Sequence, residues 1–189
     1  GYRIGAVPVP VNYRLAPIEI RAILDDAACR LLVVESCFFG LLDSEALRGL
    51  RSRAMQPDPT GYATGLTDYE TEMARGYPAP CGEPREQDEA LLLYTGGTTG
   101  RSKGVPLTQR NLATVAIQNA ATLTPLPTDV YLHVAPMFHS ADLLGNAFMA
   151  NGAAHAYLAR PSARTMLETI ARLRITAVVV PPTMLVLAL

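Results

Sequence analysis

The residues with the densest chemistry run from Tyr94 to Gly104, reading Tyr-Thr-Gly-Gly-Thr-Thr-Gly-Arg-Ser-Lys-Gly. Gly96, Gly97 and Gly100 let the main chain approach an anion closely and adopt positive φ. Successive backbone N–H groups in such a run form a concave nest for phosphate oxygens. Thr95, Thr98 and Thr99 add hydroxyl donors, and Lys103 adds a mobile point charge. The chain has sixteen basic residues, of which Lys103 is the one lysine. Arginine bias has a bland cause in a GC-rich genome, so the position of the retained lysine is what matters. Composition, order and position point to a polyphosphate.

Two familiar phosphate patterns do not fit. A P-loop needs Gly-Lys-Ser/Thr after a glycine and four spacers. Here Ser102 precedes Lys103 and Gly104 follows it, so the magnesium-binding hydroxyl is out of place. No Gly-x-Gly-x-x-Gly dinucleotide fingerprint occurs in the loop. A plain turn would need neither three hydroxyls nor the lysine.

The positioning elements alternate. Leu91 to Tyr94 reads as a buried strand before the loop, and Thr108 caps a helix to about Ala121 after it. Pro17 opens a helix through about Ala28, Leu31 to Val34 is a short buried strand, and Leu41 to about Arg51 a helix. Ala6 to Val11, broken by Pro8 and Pro10, is an edge strand or extended segment. Residues 54–88, rich in Pro, Gly, Thr and acid, read as a surface excursion, with Glu83, Glu86, Asp88 and Glu89 as solvated carboxylates. Later come strands at Val130 to Ala135, Ala154 to Leu158 and Ala177 to Val180. Between them lie helices around Leu143 to Met149 and from Ser162 to near Arg174. Strands alternating with helices imply parallel pairing and an α/β layered fold.

Composition sets limits. The chain has 189 residues, 49% hydrophobic and 17% charged, at a formal net charge of −1. That is too apolar for disorder and too evenly charged for a nucleic-acid binder. Cys29, Cys37 and Cys81 form no disulfide framework and no Cys-x-x-Cys pair, which argues against structural zinc and for a reducing compartment. Pro181 and Pro182 interrupt the apolar stretch from Ile175 to Leu189, which falls short of the roughly 18 residues a membrane span needs. No basic region leads into an apolar run at the start, so a cytoplasmic location is expected. The absence of an initiator methionine and the apolar helix beginning at Thr183 suggest a segment of a longer protein.

The run from Tyr94 to Gly104 resembles the phosphate-binding signature of the adenylate-forming enzymes, the group of acyl- and aryl-CoA synthetases, luciferases and peptide-synthetase adenylation domains. It departs from the usual pattern at Ser102, where proline is common, and at Gly96, where serine is. Gly5 to Leu15 with Pro17 to Asp26, Pro136-Met-Phe-His139, and Val180-Pro-Pro-Thr183 extend the likeness. Residues 54–86 carry little of it. The resemblance implies layered parallel-sheet subdomains of the family's large N-terminal domain, incomplete at both ends.

By that resemblance Thr95, Gly96, Gly97, Thr98, Thr99, Gly100 and Lys103 hold the phosphates of ATP, and Lys103 serves catalysis. His139 faces the acyl pocket and thiol tunnel, although taken alone it reads as a helix-cap or packing histidine. Histidines 133 and 155 lack such context and read as structural. No histidine–carboxylate set has metal-ligand spacing, so Mg2+ is expected to arrive with ATP. Phe138-His139-Ser140 resembles the CoA-ligase branch, where peptide-synthetase domains carry a Phe-Asp pair. The implied partners are a small-molecule carboxylate, ATP and coenzyme A, with no nucleic acid and no transmembrane segment. Family elements for adenine, ribose and the C-terminal catalytic lysine would lie beyond Leu189. The 189 residues alone are therefore expected to be inactive. The alternative is a non-catalytic, truncated nucleotide-binding remnant.

Overall fold

The structure is a computed structural model that describes residues 4–48, 53–56, 67–76, 82–96, 102–158 and 161–188. These fall into two compact units. One comprises residues 11–82 and 94–105, the other residues 1–10, 83–93 and 106–189.

In the first unit, helix α1 (Pro17–Asp26) starts on a proline, whose fixed φ suits the first turn. Glu19 reaches back to accept the Ala16 N–H at 2.8 Å. Its apolar side, Ile20 and Leu24, packs with Leu47 and the half-buried Val11, Leu15, Leu32 and Leu41. Strand β1 (Leu31–Val33) is shorter than expected and is not buried throughout: Leu31 and Val33 are 53% and 49% exposed. As an edge strand of a parallel β1-β2-β3 sheet, it covers the core with Leu32 alone. Helix α2 (Phe39–Leu42) stops far short of the expected end at Arg51. The Ser44 N–H and hydroxyl both donate to the Leu41 carbonyl, at 3.2 and 2.6 Å, so the chain closes there in a tighter i→i+3 turn. Strands β2 (Arg53–Gln56) and β3 (Thr67–Asp68) follow, then α3 (Tyr69–Arg75), with the Asp68 carboxylate accepting the Thr71 N–H at 2.7 Å.

Strand β4 (Glu89–Thr95) pairs with β5 (Lys103–Thr108). Ala90, Leu91 and Leu93 form a core with Leu112 of α4 (Gln109–Leu123). Thr108 caps α4 reciprocally: its hydroxyl accepts the Asn111 N–H at 3.2 Å, and the Asn111 side chain accepts the Thr108 N–H at 2.9 Å. Residues 6–12 are extended without forming a strand, and the Pro8 carbonyl accepts the Leu92 N–H at 3.0 Å. Prolines 8 and 10 have no N–H with which to build a ladder.

The second parallel sheet has the order β7-β6-β8, with β6 (Val130–His133) in the centre. A 3-10 turn (Ser140–Leu144) and α5 (Gly145–Ala150) connect β6 to β7 (Ala154–Tyr157), replacing the single helix expected there. Helix α6 (Ala163–Leu173), capped by Ser162, leads to β8 (Ala177–Val178) and then α7 (Pro182–Ala188). Side chains alternate along a strand, so a central strand between two layers buries both faces. Leu132 and Val134 face Met166, Ile170 and Val178. On the opposite face, Tyr131 and His133 are 3% and 7% exposed.

Candidate active site

The glycine-rich loop leaves the buried part of β4 through Tyr94, which is anchored. Its hydroxyl donates to the Asp26 carboxylate at 2.6 Å, tying the strand end to the last residue of α1. Thr95 and Gly96 follow, both exposed. Residues 97–101, including Gly97, Thr98, Thr99 and Gly100, lie outside the described residues. The chain returns at Ser102, and Lys103 and Gly104 form the start of β5 where the sequence suggested loop. Lys103 is exposed. Its backbone is thus set by the β4–β5 pairing, while its long flexible stem leaves the side chain mobile. A cleft of about 260 Å3 lies between α1, Tyr94 and Ser102.

His139 belongs to the other unit, on the turn after β6. The His139 N–H donates to the Pro136 carbonyl at 2.9 Å, and the His139 carbonyl accepts the Asp142 N–H at 3.0 Å. Its ring Nδ1 accepts the Ala141 N–H at 3.1 Å, so the helix-cap reading of this residue is what the geometry contains. That bond requires a lone pair on Nδ1 and leaves Nε2–H as the neutral ring's outward donor. The side chain is exposed. A cap and a ligand contact are therefore compatible, one on each nitrogen.

Sequence reasoning missed what lies beneath this turn. His133 Nδ1 stands 2.5 Å from Asp142 Oδ1, and His133 Nε2 stands 2.7 Å from His155 Nδ1. The register Tyr131↔His155 and His133↔Tyr157 places the two histidines diagonally across β6 and β7. Tyr157 stacks on His133 at 4.3 Å between centroids, and Tyr131 meets it edge-on at 4.8 Å. Gly145 opens α5 directly over the pair: a Cβ there would stand 2.8 Å from His133 Cε1 and 3.2 Å from Tyr131 Cε1. Only glycine allows this approach. The usable signal was the alternation Tyr131, His133 on a strand whose other face is Leu132, Val134.

Burial, reinforced by the Asp142 carboxylate, pushes the Tyr131 hydroxyl up to about 12, and the same two causes raise Tyr157. Burial first, then the neighbouring His133, holds His155 below its ordinary value, with Asp142 opposing. The His155 Nε2 atom is buried and has no hydrogen-bond partner among the described residues. No group of three or more His, Cys, Asp or Glu that could hold a metal ion occurs among the described residues.

Strands β6, β7 and β8 run parallel and are joined through helices, which defines a layered α/β fold. The family of AMP-binding enzymes matches residues 2–189, and the chain belongs to that family. It is 32% identical over 152 residues to a long-chain-fatty-acid–CoA ligase, FadD13, of Mycobacterium tuberculosis, covering 78% of this chain and 29% of that protein. It is 31% identical over 189 residues to the indoleacetate–CoA ligase of Aromatoleum aromaticum, covering 97% and 36%. The fold matches that of Bacillus subtilis O-succinylbenzoate coenzyme A synthetase in complex with ATP and magnesium ion. There the TM-score is 0.78 at 23% identity, over 98% of this chain and 36% of that one. The chain thus spans about a third of the length of the curated relatives it matches. Those relatives are CoA ligases, and none of the described helices is long and apolar enough to cross a membrane.

Proposed function

We propose that this chain supplies the phosphate-gripping part of an acid–thiol ligase that activates a fatty or other apolar carboxylic acid with ATP and passes the acyl group to coenzyme A. The observation that carries this reading is the run from Thr95 to Gly104, set between an anchored buried strand and the start of β5.

In the first step a carboxylate oxygen attacks the α-phosphorus, the bond to the β-phosphate oxygen breaks, and pyrophosphate leaves with its charge. The demand is to stabilise that charge as it develops. Backbone N–H groups and hydroxyls of Thr95 to Gly100 meet it, and Lys103 adds the cation that draws pyrophosphate away. Mg2+ arrives on the nucleotide. In the second step a thiol displaces AMP at the acyl carbon, giving the thioester and releasing the thiol proton. The exposed Nε2 of His139 is suited to an oxygen of the acid in the first step.

The test is carboxylate-dependent ATP–pyrophosphate exchange by the full-length polypeptide that carries this sequence. Lys103→Ala should slow exchange at least about tenfold, roughly 1.4 kcal/mol of transition-state stabilisation. An unchanged rate removes Lys103 from that role. ATP binding with no exchange for any acid would instead favour the non-catalytic nucleotide binder.

A further inference from the structure

The turn that carries His139 is tied at its base to the central strand of the sheet. It leaves β6 at His133 and closes at Asp142, and those two side chains bond to each other at 2.5 Å. Between them the turn is carried by the Pro136–His139 and His139–Asp142 backbone bonds, and Ala141 N–H fixes the His139 ring. His133 is itself fixed on three sides, by Tyr157, Tyr131 and His155. We propose that Asp142, His133 and His155 form a positioning chain that sets where His139 presents its Nε2, and through it the recognition of the carboxylate substrate. The inference rests on the acid-activating role proposed above.

Proton counting fixes the direction of the bonds. With Asp142 ionised, His133 Nδ1–H donates to it, so His133 Nε2 of a neutral ring must accept. His155 Nδ1–H is then the donor to His133, and His155 Nε2 carries the bare lone pair. A proton taken up at that end forms an N–H with no acceptor among the described residues. Such a proton cancels the single negative charge that the ionised Asp142 gives the chain. The titratable groups facing the chain are Asp142 from the 3-10 turn, His133 and Tyr131 from β6, and His155 and Tyr157 from β7. Helix α5 presents Gly145 and Phe148.

The test separates acid from nucleotide in the full-length protein. Asp142→Ala removes the acceptor for the His133 N–H. It should raise KM for the carboxylate at least about tenfold while KM for ATP stays within about twofold, a split that general loss of structure does not produce. Asp142→Asn keeps an acceptor oxygen and should raise it only about threefold. That variant carries the test alone if the alanine form does not fold. An unchanged carboxylate KM in the folded variants, or a parallel rise for acid and ATP, overturns the inference. If wild-type protein shows no exchange with any acid, the acid-activating role fails first, and positioning is read from the His139 imidazole 15N signals. Asp142→Ala should move them from a single Nε2–H tautomer to a mixture, and unmoved signals overturn the inference.

Discussion

At the end of β4 the chain turns outward, with Thr95, Gly96 and Lys103 exposed and the neighbouring Tyr94 held by one hydrogen bond to Asp26. At the end of β6 it turns over a buried cluster in which His133 touches an acid, another imidazole and two tyrosines. The first region holds its polar side chains out in solvent. The second packs His133, 7% exposed, against each of those partners. Substitutions should therefore separate the two: loss of rate without loss of stability around Lys103, and loss of stability around β6.

The largest effect belongs to the strand beneath the cluster. Leu132 has no exposed surface and packs with Val134 and Met166. Leu132→Ala should cost about 2–5 kcal/mol, from lost transfer energy and an unfilled cavity, read as a lower urea midpoint. Gly145→Ala comes next. Its methyl would stand 2.8 Å from a His133 ring atom, and that ring is stacked and bonded on several sides. Relief requires α5 to move, so a cost of about 1–3 kcal/mol is expected, together with altered His133 imidazole signals. Lys103→Ala, exposed, should leave the same unfolding midpoint within about 0.5 kcal/mol even as exchange falls. Equal destabilisation by Lys103→Ala and Gly145→Ala would erase the contrast between the regions.

The same contrast explains what could be read before the fold was known. The loop was legible because its chemistry is contiguous: glycines, hydroxyls and the lysine occupy one run, and the strand before it and the Thr108 cap after it have local signatures. The cluster was not legible because residues 133, 142 and 155 meet only through the parallel register of β6 with β7 and the turn back to Asp142. Nothing local marks that pairing. Helix α2 came out shorter, where the Ser44 N–H and hydroxyl both close a tight turn on the Leu41 carbonyl. Lys103 fell on a strand rather than in the loop because the β4–β5 pairing extends over Gly104, a residue whose local preference is for turns.

Thr108 stands where β5 passes into α4, and its side chain tests how local that legibility is. Thr108→Ala removes the acceptor for the Asn111 N–H and should cost about 1 kcal/mol, with Thr108→Ser restoring most of it. A loss several times larger would mean that the cap supports more than the helix start.

The smallest effect is a slope with pH, and its sign follows from His155. Burial and His133 hold this imidazole below its ordinary 6.5, so the folded protein favours the neutral ring. Unfolding frees it to take a proton near 6.5, so the unfolded chain binds more protons in the window just below that value. The contribution to stability is complete above 6.5 and is lost as pH falls through the folded value. Asp129 has a separate acid limb: the Leu126 N–H at 2.7 Å and the Thr176 hydroxyl at 2.8 Å hold its carboxyl below 3.8. Its contribution is present above 3.8 and is lost as pH falls below that value. His155→Asn keeps an N–H where Nδ1–H stood and cannot be protonated. Urea midpoints measured from pH 7.5 down to about 5 should fall for the wild type and flatten for His155→Asn. A slope that survives the substitution would place the titrating group outside the cluster and leave the buried histidines as packing alone.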